Sequence, residues 1–173
     1  MTSNKLNDTI LKKLYSSNEE QVLKAIETIS DNGNSDYISL LIDLLNTHES
    51  ETVKKNITKI LSELKHTNTV PILVKAIEDH KFINIRETLV RACWENGLDF
   101  TNYFSTFIDL LIHGDYMVAF EAYTVIENTE GTISKTSSQQ YIDQLKDALA
   151  SVGEERQTLI HRIIQFLPGI IKA

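Results

Sequence analysis

An all-α solenoid of about five antiparallel helix pairs is the fold class that this 173-residue sequence predicts. Three observations carry the prediction. Apolar segments recur at offsets of 32 and 34 residues: LIDLLNTHES (41–50), LVKAIEDHKF (73–82) and FIDLLIHGDY (107–116). Each is followed by a second segment whose apolar residues keep a 3.6-residue period. Two Pro and six Gly leave little of the chain for irregular connections. A repeat of this length belongs to arrays in which one helix pair cannot bury its apolar face alone and stacks on its neighbours.

The elements follow in order as one repeat domain over 1–173, with units at about 3–33, 34–66, 67–97, 98–129 and 137–168 and an apolar tail at 169–173. The first unit is the weakest: Leu6, Ile10 and Leu14 match Tyr37, Leu41 and Leu45 at an offset of 31, and the register around Val22, Ile26 and Ile29 is open by one residue. In the first helices, Ile42-Asp43-Leu44-Leu45 returns as Ile108-Asp109-Leu110-Leu111, while Tyr37, Thr69, Tyr103 and Tyr141 share one position. In the second helices, Val53, Ile57, Ile60 and Leu61 share their spacing with Ile85, Leu89, Ala92 and Cys93. The same spacing returns in Val118, Ala122, Val125 and Ile126; Ile160, Ile163 and Ile164 fill three of those places in the last unit, and Arg156 takes the first. YIDQLKDAL (141–149) matches YFSTFIDLL (103–111) at an offset of 38, and the extra residues fall in NTEGTISKTSS (128–138), which reads as a longer polar loop.

Composition bounds the function. A single Cys excludes an internal disulfide and suits a reducing compartment. MTSNKLNDTILKKLYSS has no apolar run of a secretory signal, and no stretch approaches the roughly 20 apolar residues of a membrane span, so a cytoplasmic protein with no membrane partner is expected. The net charge of −7 is unevenly spread. Lys54 to Arg91 holds eight basic residues against four acidic ones, whereas Ala92 to Ser134 holds seven acids and no Lys or Arg. A duplex-binding surface needs a continuous basic stripe, so no nucleic acid is expected as a partner.

The segment TVPILVKAIEDHKFINIRETLVRACWENG (69–97) resembles a short HEAT-type repeat. Pro71 stands where that family places a proline in its first helix, Asp79 and Ile85-Arg86 where it has an inter-helix Asp and a Val-Arg pair, and Gly97 at the turn glycine. The resemblance implies a HEAT-like superhelix in which the Asp and Arg form a structural ladder between successive units. Lys54 keeps a basic residue at the Arg86 position, but Ala119 and Gln157 do not, and only this unit has the proline. Tetratricopeptide and ankyrin signatures are absent.

Nothing in the sequence assembles an active site, and no cofactor or metal is implied. Cys93 aligns with Leu61 and Ile126 on the buried stripe, where a thiol is a poor nucleophile. His48, His80 and His113 occupy equivalent turns, but points on adjacent helices lie about 8–10 Å apart, too far for three to share an ion bound at about 2 Å. HEAT-like di-iron hydroxylases repeat His-Glu pairs on their helices; here the pair His48-Glu49 stands alone in a turn. HEAT-like DNA glycosylases present aromatic and acidic residues in a basic cleft, and the acidic run from 92 to 134 opposes that alternative. There is no phosphate-cradling Gly loop and no G-x-S-x-G elbow.

What remains is a surface. In a HEAT-like array the second helices resemble the wall of a concave groove, and the residues two, six and nine places after the first apolar position point away from the core stripe. These positions hold Lys55, Lys59 and Ser62; Glu87, Arg91 and Trp94; Phe120, Thr124 and Glu127; and Thr158, Arg162 and Gln165. Tyr123 lies one step off that stripe. Aromatic residues beside charges suit a groove for a protein or peptide partner. Trp94 and Tyr123 have a second reading, as packing between units. The tail IIQFLPGIIKA (163–173) is too apolar for the outer face of a last helix. Either it folds back over the core, or Phe166, Ile170 and Ile171 dock on a second copy, giving a monomer or a weak dimer. A scaffold, a repair-type enzyme and a purely structural assembly module are the three functions left.

Overall fold

The computed structural model describes residues 6–32 and 35–172. Ten α-helices follow one another among them: α1 (Asp8–Leu14), α2 (Glu19–Asn32), α3 (Ile38–Thr47), α4 (Glu51–Ser62), α5 (Val70–Glu78), α6 (Arg86–Glu95), α7 (Phe104–His113), α8 (Tyr116–Glu127), α9 (Lys135–Ala148) and α10 (Glu154–Phe166). No strand is present among the described residues, and the architecture is an α-solenoid of consecutive helix pairs.

Local chemistry sets the helix starts. The Asn7 side chain accepts from the backbone N–H groups of Thr9 and Ile10, Ser50 from Val53, and Asp115 from Val118, satisfying donors that the first turn leaves free. Pro71 sits in the first turn of α5, where its missing N–H costs nothing. Gly97, just past α6, has φ +68°, a left-handed conformation that glycine adopts without strain.

Two segments differ from the sequence reading. Lys135–Ser138, read as loop, forms the first turn of α9: Ser134 caps it by accepting from the Ser137 N–H at 3.0 Å, and Ser138 is buried. A Ser/Thr-rich stretch is a loop signal and an N-cap signal alike, and tertiary burial decided between them. The Asp79–Arg86 ladder is also absent. Asp79 turns back to accept from the Lys81 N–H at 2.8 Å, and Arg86 reaches only the Asp79 carbonyl, at 3.5 Å, within its own helix pair. The tie to the preceding pair is made instead by Lys81, whose ammonium binds Asp43 of α3.

The core is continuous along the array. Val53, Ile57 and Leu61 of α4, Leu89, Ala92 and Cys93 of α6, Val118, Ala122 and Ile126 of α8, and Ile160 and Ile163 of α10 are all buried. In α2 the stripe settles on Val22, Ala25, Ile26 and Ile29. Each fully buried aliphatic side chain contributes about 1.5–3 kcal/mol. Arg156 breaks the stripe for a reason: its Nη1 donates to the Ile112 carbonyl at 2.7 Å and its Nη2 to that of Gly114 at 2.6 Å. A cation thus meets the carbonyl end of α7.

The two layers pack differently. The second helices α2, α4, α6, α8 and α10 each lie broadly against the next, while α5 and α7 stand further apart, joined by the Thr106 hydroxyl donating to Glu78 Oε1 at 2.7 Å. A cleft of about 1060 Å³ opens on that outer side, lined among others by Glu78, Arg86, Thr106, Asp109 and Asp147. At the C-terminal end the chain folds back. The Ile133 N–H donates to the Ile170 carbonyl at 3.0 Å and the Lys172 N–H to the Ile133 carbonyl at 2.9 Å, forming a parallel bridge between Ile133 and Ile171. Leu167 is buried, and Phe166, Ile170 and Ile171 are half-buried.

Candidate partner-binding surface

The surface is built on α6, α8 and α10. Ala119 and Ala122 of α8 are fully buried. Between them stands Glu121, a carboxylate only 3% exposed. It is saturated by α6: Arg91 Nε donates to Oε1 at 2.9 Å, Arg91 Nη2 lies 2.8 Å from the same oxygen, and Trp94 Nε1 donates to Oε2 at 2.7 Å. Arg91 Nη2 also donates to Glu87 Oε1 at 2.6 Å. Its bond to Glu121 holds the guanidinium pKa above its usual range. A buried charge is tolerated only when paired and hydrogen-bonded in this way.

This network orients the indole. Trp94 is 36% exposed, with its N–H turned inward to Glu121 and part of its ring left at the surface. On α8, Phe120 is exposed, and its ring centroid lies 6.3 Å from that of Tyr123. Tyr123 itself is buried, so it is packing between helices rather than open surface. Its hydroxyl accepts from Arg162 Nη1 of α10 at 3.5 Å. Burial pushes its phenol pKa up and the neighbouring Glu127 pushes it further, while Arg162 opposes. Thr124 is half-buried, its hydroxyl spent on the Phe120 carbonyl, and Glu127 is exposed.

Of the residues expected along the groove, Glu87, Arg91, Trp94, Phe120, Tyr123, Thr124, Glu127 and Arg162 therefore lie on one run of three helices. Lys55 and Lys59 stand exposed on α4, outside this hydrogen-bond network; Lys59 instead borders a shallow hollow of about 430 Å³ with Glu20, Lys24 and Glu63. Sequence reasoning missed Glu121, which occupies a place held by Asn56 and Thr88 in other units. A carboxylate between two alanines on an apolar stripe was the available signal. It also missed Tyr116, Met117 and Ile83, all of which are exposed.

The other chemistry-bearing residues are accounted for locally. Cys93 is buried, its Sγ donates to the Leu89 carbonyl at 3.3 Å, and burial pushes its pKa far up. His48 Nδ1 accepts from the Ser50 N–H at 3.0 Å, and His113 lies 3.7 Å from Asp109 on an exposed face. Among the described residues no three His, Cys, Asp or Glu side chains gather as a metal site, and no helix is long and apolar enough to cross a membrane.

The family profile for HEAT repeats matches residues 7–92. The chain is a HEAT-like helical repeat protein. The match runs from the start of α1 into α6, so the HEAT-like protein carries Arg91 inside the matched region and Trp94, α8 and α10 beyond it. No curated protein matches the chain.

Proposed function

We propose that this HEAT-like protein is a non-catalytic scaffold that binds a protein or peptide segment on the wall formed by its second helices, centred on α6 and α8. HEAT-like arrays commonly serve in protein interaction, and in this reading residues 1–173 form one such domain. The observation that carries the reading is the fixation of Trp94. A buried carboxylate, costly to desolvate, is used to hold an indole with part of its ring exposed, and rigid aromatic area is what interface hot spots require.

The test separates binding from folding. Met117→Ala with Phe120→Ala removes exposed apolar area without opening a cavity. It is expected to leave the melting temperature within a degree or two and to abolish retention of a co-purifying protein. Deleting residues 169–173 is expected to lower the melting temperature, because it removes the bridge to Ile133, and to spare retention. Loss of retention only in the tail deletion supports assembly through the chain end instead. Strong, salt-dependent binding of duplex DNA supports the repair-type alternative.

A further inference from the structure

Five of the six exposed large apolar side chains among the described residues fall in one part of the array. Ile83 stands on the turn leading into α6, Trp94 at the end of α6, and Tyr116, Met117 and Phe120 on the first turns of α8; the sixth, Tyr15, is elsewhere. Their exposures run from 36% at Trp94 to 54% at Ile83, well above incidental contact with solvent. On α8, Tyr116, Met117, Phe120 and Thr124 recur at helical spacing on one side, and Glu127 ends the run. At 1.5 Å per residue this strip is about 17 Å long, enough for a short peptide segment.

The charges beside the strip that no partner within the chain engages are negative. Glu87, Glu95, Glu121 and Glu127 carry four carboxylates on α6 and α8 against two guanidinium groups: Arg91, which Glu87 and Glu121 already share, and Arg86, which lines the outer cleft and reaches the Asp79 carbonyl. No Lys or Arg follows until Lys135. The two cations of α10 are engaged within the chain: Arg162 is directed to the Tyr123 hydroxyl, and Arg156 to the carbonyls of Ile112 and Gly114.

We propose that the segment received by α6 and α8 is basic, with an aliphatic or aromatic side chain seated on Tyr116, Met117 and Phe120 and a Lys or Arg beside it facing Glu95 and Glu127. This rests on the concave-wall reading above and adds the chemistry of the partner. The apolar anchor supplies contact area, for which an unbranched Met beside two rings adapts well. The flanking cation gains from the carboxylates and from the exposed ring faces, and an acidic segment is repelled. Association is steered by the acidic wall and slows as salt screens it.

The test is selection of a random dodecapeptide library displayed on phage, with the purified protein as bait, followed by affinity measurements on the synthesised winners. The proposal expects enrichment of Lys or Arg next to an aromatic or aliphatic residue. It expects affinity to fall about tenfold or more in Met117→Ala with Phe120→Ala, and severalfold in Glu95→Lys and at high salt. Winners that are acidic or uncharged, yet still need Met117 and Phe120, overturn the basic partner and leave the concave wall standing. Winners indifferent to Met117, Phe120 and Trp94 overturn both, as does a library from which nothing is enriched.

Discussion

The second helices and the first helices of this array share a core but are joined to their neighbours in different ways. On the inner side α6 and α8 are tied by Arg91, Trp94 and buried Glu121, and α8 meets α10 through Tyr123 and Arg162. On the outer side the α3–α5 junction is closed from outside, by Lys81 reaching Asp43 and by the Asn46 amide bonding to the Lys81 carbonyl at 3.3 Å. Lys81 comes from the long turn between α5 and α6; the turn between α7 and α8 is only Gly114-Asp115, and the α5–α7 junction opens as a cleft crossed by one exposed hydrogen bond, the Thr106 hydroxyl donating to Glu78 Oε1 at 2.7 Å. The layer tied by the buried Glu121 is the one that presents the aromatic surface.

That comparison can be broken most sharply at Glu121. Glu121→Ala leaves the Trp94 N–H and one face of Arg91 without their acceptor, and a loss of about 3 kcal/mol is expected in denaturant unfolding. A loss under about 0.5 kcal/mol, the range of ordinary surface changes, would mean that the inner layer does not depend on this tie. Trp94→Phe keeps most of the ring and removes one charge-assisted hydrogen bond, so about 1–2 kcal/mol is expected; Trp94→Phe added to Glu121→Ala should cost little more, which a double-mutant cycle reads directly.

Tyr123 sharpens the same contrast through pH. Its folded pKa is raised above the ordinary value of 10.0, first by burial and then by Glu127. The neutral phenol's contribution is whole below about pH 10 and is lost as the pH climbs through the raised folded value. Tyr123→Phe should therefore flatten the alkaline fall in stability, while the melting temperature near neutrality moves little. On the outer side the smallest effect is expected. Lys81→Ala breaks an exposed ion pair, which contributes next to nothing to global stability, so only local hydrogen exchange in the 80–85 turn should quicken. A large global loss there would place the strength of the array in the wrong layer.

Much of the scaffold was legible because burial follows period. The spacing of Val53, Ile57 and Leu61, repeated in α6, α8 and α10, announces which faces meet without any knowledge of the partners. Cys93 fell on that stripe and is buried there. Arg156 and Glu121 were opaque for a common reason: a charged residue on an apolar stripe is explained only by acceptors or donors from another helix, 42 or more residues away for Arg156 and 27 to 30 for Glu121. Asp79 and Arg86 failed as a ladder because spacing says which residues are equivalent, not which neighbour a flexible side chain selects. The exposed strip of Tyr116 and Met117 escaped because both stand at the first turn of α8, ahead of the positions that the repeat pattern compares.

The most direct measurement places a photo-crosslinking amino acid, benzoylphenylalanine, at Thr124 of α8 or at Ser105 of α7 and compares the adducts formed with a bound protein. Thr124 lies on the inner wall and Ser105 on the rim of the outer cleft. The account predicts a strong adduct from position 124 and none above background from position 105. Adducts from 105 with none from 124 would contradict it and move the binding surface to the outer cleft.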